Sequence, residues 1–167
     1  MTFAPRTWVV GEVATAALFN QEIRDQINSM IGAWTAYTPT WTSSGTNPSL
    51  GNNGTILGRY LKIGRTVACE IHLTTGSSTT YGSGSYNWSL PFSAVASGIA
   101  QIGTAQLLTS SNRWQGQIVL GSGANNASAF FPITATNTRV DFMTATLPET
   151  LAANAQIRLT FQYEAAS

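Results

Sequence analysis

Cysteine is all but missing from this chain. Cys69 stands alone among 167 residues, so no disulfide can form within the chain and stability must come from a core. Charge is sparse as well: 9% of residues are charged, against roughly 25% in an ordinary soluble domain. Lys62 is the one lysine and His72 the one histidine. Eight basic and seven acidic residues leave a net charge of +1. The basic residues are scattered, and without a stripe of them to neutralise phosphates, nucleic acid is not expected as a partner. The start lacks a basic-then-apolar leader pattern, so no secretory signal is expected. No apolar run approaches the roughly 20 residues that span a bilayer, so membrane insertion is not expected either.

Polarity comes instead from Ser, Thr, Asn and Gln. Low net charge with ordinary hydrophobicity is not the pattern of a disordered chain. A Thr-rich, aromatic-containing sequence suits strands with large polar faces. Weakly charged surfaces also suit a protein largely covered by copies of itself.

The apolar residues are used in two ways. Residues 12–34 read as one amphipathic helix with Thr15 as N-cap. Leu18 stands three residues later, where a capping box would have Glu or Gln, so the box is incomplete. Ala16, Phe19, Ile23, Ile27, Met30 and Trp34 step by 3 or 4 into a single seam. A lone helix of this length is marginal in water, and the seam needs a partner. That partner is either the chain's own β-part or a bundle of identical helices. Gly32 loosens the helix end.

From Tyr37 onward the pattern is short strands and Gly/Ser/Thr/Asn turns. Pro39 confines its segment to a sheet edge. Residues 43–54 and 76–85 read as loops, the second as flexible. Residues 55–75 form the clearest hairpin, with Val67, Cys69, Ile71 and Leu73 alternating with polar neighbours. Two registers remain open. A two-residue turn at Gly64-Arg65 sets Arg59 opposite Glu70 and leaves Leu57 and Leu61 on the face away from Val67 and Ile71. A three-residue loop aligns the apolar faces but lacks glycine at its left-handed position. Further strands are expected at 86–90, 99–108, 113–121, 128–134, 138–146 and 155–164. In the last, Ile157, Leu159, Phe161 and Tyr163 share one face. The expected fold is therefore mainly β: an antiparallel β-sandwich or jelly-roll-like domain over residues 37–167, preceded by an arm and α-helix over residues 1–36.

No catalytic constellation stands out. Cys69 and His72 differ in parity along a regular strand, so they point to opposite faces. Glu70 and His72 share a face and could pair, or meet copies of themselves on a symmetry axis around an ion; two solvent-facing side chains is the plainer reading. No zinc spacing, EF-hand loop or HExxH is present, and no resident metal or cofactor is expected. The acids are dispersed, Asp141 and Glu149 among them, which leaves a folded glycosidase pair unsupported. Trp88, Trp114, Phe130, Phe131 and Phe142 read as core. Tyr81 and Tyr86 flank a loop and are the candidate ligand-contact residues, since aromatic rings beside Asn and Gln can stack on sugars. No catalytic residue is expected and the chain is not expected to be an enzyme.

The run Arg6-Thr7-Trp8-Val9-Val10-Gly11-Glu12, then Thr15-Ala16-Ala17-Leu18-Phe19-Asn20 and Ile23-Arg24-Asp25-Gln26-Ile27-Asn28, resembles the N-terminal segment of bacteriophage minor tail and tail-fibre-like proteins, most of all those of actinobacterial phages. Tyr37-Thr38-Pro39-Thr40-Trp41, Gly58-Arg59-Tyr60, Ile63-Gly64-Arg65-Thr66-Val67, Ser89-Leu90-Pro91-Phe92 and Tyr163-Glu164-Ala165-Ala166 continue the likeness. Leu18 departs from it, at a position where many relatives carry an acid. The resemblance implies a homotrimeric virion surface protein made in the host cytoplasm. Residues 1–36 would attach it to another virion protein, with Phe19, Ile23, Ile27, Met30 and Trp34 as the trimer seam. The β-part, through loops 43–54, 76–86 and 121–127, would face a host-surface glycan or protein. A capsid decoration or head-fibre protein of purely structural role is the alternative; a tail glycan depolymerase and a free carbohydrate-binding module rank behind it.

Overall fold

The computed structural model describes residues 7–166; the first six residues of the 1–36 arm lie outside the described residues. Thr15 caps the helix, its Oγ1 accepting from the Leu18 N–H at 3.3 Å while its own backbone stays extended. One α turn, α1 (Ala16–Phe19), leads through a π segment, Asn20–Arg24, into α2 (Asp25–Ile31). The helix is shorter than residues 12–34 at both ends. Glu12 is drawn into a turn: its N–H donates to the Val9 carbonyl at 3.1 Å and its carboxylate accepts from the Val9 N–H at 3.3 Å, around Gly11 at φ 86°. At the far end Gly32 is extended, so Trp34 stands beyond the helix rather than on its seam.

Ten strands follow: β1 (Thr35–Tyr37), β2 (Trp41–Ser43), β3 (Thr55–Ile63), β4 (Thr66–Thr74), β5 (Tyr86–Ser89), β6 (Gln101–Leu108), β7 (Arg113–Leu120), β8 (Asn126–Thr134), β9 (Asn137–Phe142) and β10 (Gln156–Glu164). They form one antiparallel sheet in the order β1-β3-β4-β10-β6-β7-β8-β5-β2, with β9 beside β8.

The outer strands of that path, β1 and β2, are separated in the chain only by residues 38–40. So short a link reaches no further than about 14 Å, so the sheet must curl until its edges nearly meet. The Thr40 N–H donates to Ser89 Oγ at 2.8 Å, the Ser89 N–H to the Thr40 carbonyl at 3.1 Å, and the Tyr37 hydroxyl to the Ser89 carbonyl at 3.4 Å. The strands make one continuous ladder curled around one core.

The core lines the concave side. Val67, Cys69, Ile71 and Leu73 from β4 meet Ile157, Leu159, Phe161 and Tyr163 from the neighbouring β10. Leu107, Ile118, Leu120, Phe131, Tyr86 and Trp88 continue that lining around the curl. Fully burying an aliphatic or aromatic side chain contributes about 1.5–3 kcal/mol, which is why alternation on these strands dictates which face turns inward.

The β3–β4 hairpin uses the two-residue turn. Ile63 pairs with Thr66 and Arg59 with Glu70, and Gly64 takes φ 59°. This register leaves Leu57 and Ile63 on the convex side, 69% and 40% exposed.

The two long loops are tied to each other. Ser83 Oγ accepts from the Thr46 N–H at 3.1 Å, and the Ser83 N–H donates to the Thr46 carbonyl at 2.9 Å. Asn53 receives both the N–H and the hydroxyl of Ser78 on Oδ1, at 3.2 and 2.7 Å, and donates to Ser77 Oγ at 2.8 Å. Thr79 donates its hydroxyl to the Leu50 carbonyl at 2.9 Å. The segment 76–85, expected to be flexible, is therefore held along its length by the Ser, Thr and Asn side chains that made it read as a loop.

Candidate functional site

The helix presents an apolar surface. Phe19, Ile23, Ile27 and Met30 are 49–58% exposed. No helical residue whose burial is described is buried. Among the described residues nothing buries these four apolar side chains, and Trp34 lies beyond the helix. Completing the burial of such half-exposed side chains contributes on the order of 1 kcal/mol each. Trp34 serves the junction to the body: the Arg59 guanidinium lies 5.0 Å from the centre of its ring.

Tyr86 is not available to a ligand. Its position on β5 has the parity of Trp88, and both are wholly buried. The Tyr86 ring meets Trp41 edge-on at 5.0 Å, and its hydroxyl donates to the Tyr81 carbonyl at 2.7 Å. Burial pushes its pKa up. Tyr81 is half-buried and packs on the same core. Of the pair proposed as contact residues, Tyr81 alone retains access to solvent.

On the convex side the register sets side chains in rows. Leu57, His72 and Arg158 stand abreast on β3, β4 and β10; Arg59, Glu70 and Thr160 form the next row. An open groove of about 590 Å³ runs between them. Glu70 and His72 share this face, as parity requires. The Glu70 carboxylate is engaged by Arg59, Nε to Oε2 at 2.7 Å. Arg158 donates to the amide oxygens of Gln106 and Gln156 at 3.3 and 2.6 Å. Cys69 lies on the opposite face, buried, with Sγ 3.1 Å from the Tyr37 hydroxyl. Burial, and more weakly the charge of Glu70, push its thiol up to about 11, against a smaller lowering by the Tyr37 bond. A Cys69–His72 dyad is therefore excluded by the geometry of a regular strand. Among the described residues no three His, Cys, Asp or Glu side chains gather into a metal-binding group.

One cluster was not legible in the sequence. Glu149 accepts from Asn112 Nδ2 at 2.7 Å and from the indole Nε1–H of Trp114 at 2.9 Å, both on Oε2. Desolvation raises its pKa, but bonds from Thr109, Trp114 and Asn112 outweigh this and hold the carboxyl below its usual value. The partners are more than thirty positions away in the chain. No local pattern marks such a contact, and Trp114 read simply as core. Asp141 sits apart on β9, its Oδ1 accepting from the Phe142 N–H at 2.7 Å.

The fold and its surfaces define a mainly β chain, a curled antiparallel sheet with one short helix toward its amino-terminal end. Among the described residues no helix is long and apolar enough to cross a membrane. No protein-family model, curated protein or solved structure matches the chain.

Proposed function

We propose that this chain is a structural virion protein of a bacteriophage tail tip or fibre. In this reading residues 1–36 hold three copies together and dock them to a neighbouring virion protein. The β-domain, a sandwich-like knob, faces outward and binds a glycan or protein of the host surface. The observation that carries the reading is the exposed seam of Phe19, Ile23, Ile27 and Met30, an apolar stripe left uncovered by the chain's own sheet. Such a stripe on so short a helix is stabilised when identical helices meet along it. The likeness of residues 6–28 and of the later motifs to phage tail proteins supports the same reading. The convex face adds to it, since Leu57, Ile63 and Ile102 are exposed there.

Light scattering on the purified protein tests self-association, with a trimer as the expected mass. Gold-labelled antibody on phage particles tests location. Label at the tail tip supports the proposal, whereas label confined to the capsid would favour a decoration or head-fibre role.

A further inference from the structure

The register gives the sheet two distinct ends. β3 runs from Thr55, opposite Thr74, to Ile63, opposite Thr66. β1 enters with Thr35 opposite Tyr60 and leaves with Tyr37 opposite Gly58, so the helix that precedes it stands at the Ile63 end. The 121–127 loop lies at that same end, since Leu120 pairs with Gln101 and Gly123 and Glu164 both bond to the backbone of Val95. At the Thr55 end, roughly 25 Å away along β3, Gln156 pairs with Thr74 and Leu108, and Leu108 with Arg113. There the β6–β7 turn and the loop before β10 enclose a pocket of about 170 Å³. Ser110, Ser111, Asn112, Glu149, Thr150 and Ala152 line it.

Both walls are fixed before any ligand arrives. Thr109 Oγ1 accepts from the Ser111 and Asn112 N–H groups at 3.4 and 3.0 Å and holds the turn. Thr75, 1% exposed, donates its hydroxyl to the Ala152 carbonyl at 2.7 Å and accepts from the Ala155 N–H at 3.0 Å, holding the loop. Asn112 and Trp114 both bond Glu149 Oε2, which leaves Oε1 to a ligand beside the Thr109 hydroxyl. Every one of these donors is neutral, and among the described residues no Lys, Arg or His forms an ion pair with Glu149. Arg113, next to Trp114 in the chain, faces the other side of β7. The carboxylate therefore keeps a negative charge that the chain does not balance. The Ser110, Ser111 and Thr150 side chains are exposed, and among the described residues their hydroxyls make no hydrogen bond.

We infer that this pocket binds an amino sugar with a free amino group, its ammonium on the Glu149 carboxylate and its hydroxyls on Ser110, Ser111 and Thr150. About 170 Å³ is less than the roughly 300–1,000 Å³ of sites that enclose a whole drug-sized ligand, so one sugar residue enters rather than a chain. An ammonium has three donors and no acceptor, which suits a carboxylate that keeps its charge. Hydroxyl walls offer donors and acceptors alike to the rim of a sugar, whereas a lysine side chain would bring them only an alkyl stem. The pocket stands at the end away from the helix, the outward end when residues 1–36 dock to the particle. The inference rests on the host-surface reading for its biological setting and gives that reading a definite binding position.

Nuclear magnetic resonance titration of the purified full chain tests it, with the Trp114 indole N–H signal as the reporter because it bonds the same carboxylate. The pH is held at about 6, where carboxylates are ionised and amines protonated. The probes are a glucosamine disaccharide, its N-acetylated counterpart and ethylammonium chloride, at constant ionic strength. The glucosamine disaccharide is expected to shift the signal saturably and to bind about 10-fold more tightly than either other probe. Glu149→Gln keeps an oxygen for Asn112 and Trp114 but drops the charge. It should weaken the disaccharide about 10-fold, the loss of one charge-assisted contact. Ser111→Ala, on the exposed turn, should weaken the disaccharide and leave ethylammonium unchanged, and it decides the matter should Glu149→Gln fail to fold. The proposal is overturned if the signal stays still with the glucosamine disaccharide on the order of 10 mM, where millimolar affinity registers. Equal affinity for the N-acetylated sugar overturns it, as does equal affinity for ethylammonium, the mark of a bare cation site. Because the titration uses the isolated chain, its failure leaves the particle assignment standing, and unlabelled particles would leave a measured amino-sugar affinity standing.

Discussion

Arg59 and Glu70 face each other across β3 and β4, guanidinium Nε 2.7 Å from carboxylate Oε2. The pair is well exposed, so its own contribution is small. Its position matters more, because the same guanidinium covers Trp34 just beyond the helix. Arg59 thus ties the stalk to the sheet. Arg59→Ala is expected to cost under about 1 kcal/mol in urea denaturation, while amide exchange over residues 32–37 speeds up. Unchanged exchange there would show that the junction does not depend on Arg59.

The helix seam predicts a mass. Ile27→Glu should turn a trimer into a monomer in light scattering with little change in the melting temperature of the sheet, because Ile27 is half-exposed in the single chain. A wild-type protein that stays monomeric at micromolar concentration ends the trimer proposal.

Two glycines at similar φ should respond differently to alanine. Gly64 at φ 59° has open space where a Cβ would go, so Gly64→Ala pays only the left-handed backbone cost of about 1 kcal/mol. Gly82 at φ 60° lies against the Thr46 carbonyl, and a Cβ there collides with backbone. Gly82→Ala should therefore destabilise clearly more, by separating the 43–54 and 76–85 loops. Equal costs in chemical denaturation would refute the close approach.

Glu149 gives the stability a pH dependence of known sign. Its pKa is lowered in the folded protein, so its stabilising effect is full above the unfolded carboxylate value and lost as pH falls through the folded one. Glu149→Gln should be less stable than wild type near neutrality, and the two curves should converge on acidification. A gap between them that stays constant from about pH 7 to pH 3 would rule out this role.

The Cys69 thiol should be inert. It is 1% exposed and its pKa is pushed up to about 11, so almost no thiolate is present at neutral pH. An aromatic disulfide reagent is expected to label it only after denaturation; rapid labelling of native protein would contradict its placement in the core.

Much of this architecture was readable as a string. Strands at 86–90, 113–121 and 155–164 fall within a residue or two of β5, β7 and β10, because period-two alternation reports directly on burial. The Thr15 cap was legible because capping is a contact over three residues. Trp34 was misplaced because the 3–4 spacing continues through Gly32, where the helix does not. Tyr86 was misread for a similar reason: it borders a glycine-rich loop in the chain but belongs to the inner face of β5.

The sequence by itself determined the local periodicities: one amphipathic helix, a succession of half-buried strands, the turns between them, and the separation of Cys69 from His72 by parity. The tertiary structure alone decided that the strands close into one curled sheet, that Trp114, Asn112 and Glu149 meet, and that they do so at the end of the sheet away from the helix. Periodicity is a property of neighbours along the chain, set by backbone geometry and the cost of exposing apolar surface. Which strand pairs with which, and which loops share an end, depends on contacts between residues tens of positions apart, and those are settled only when the whole core packs at once.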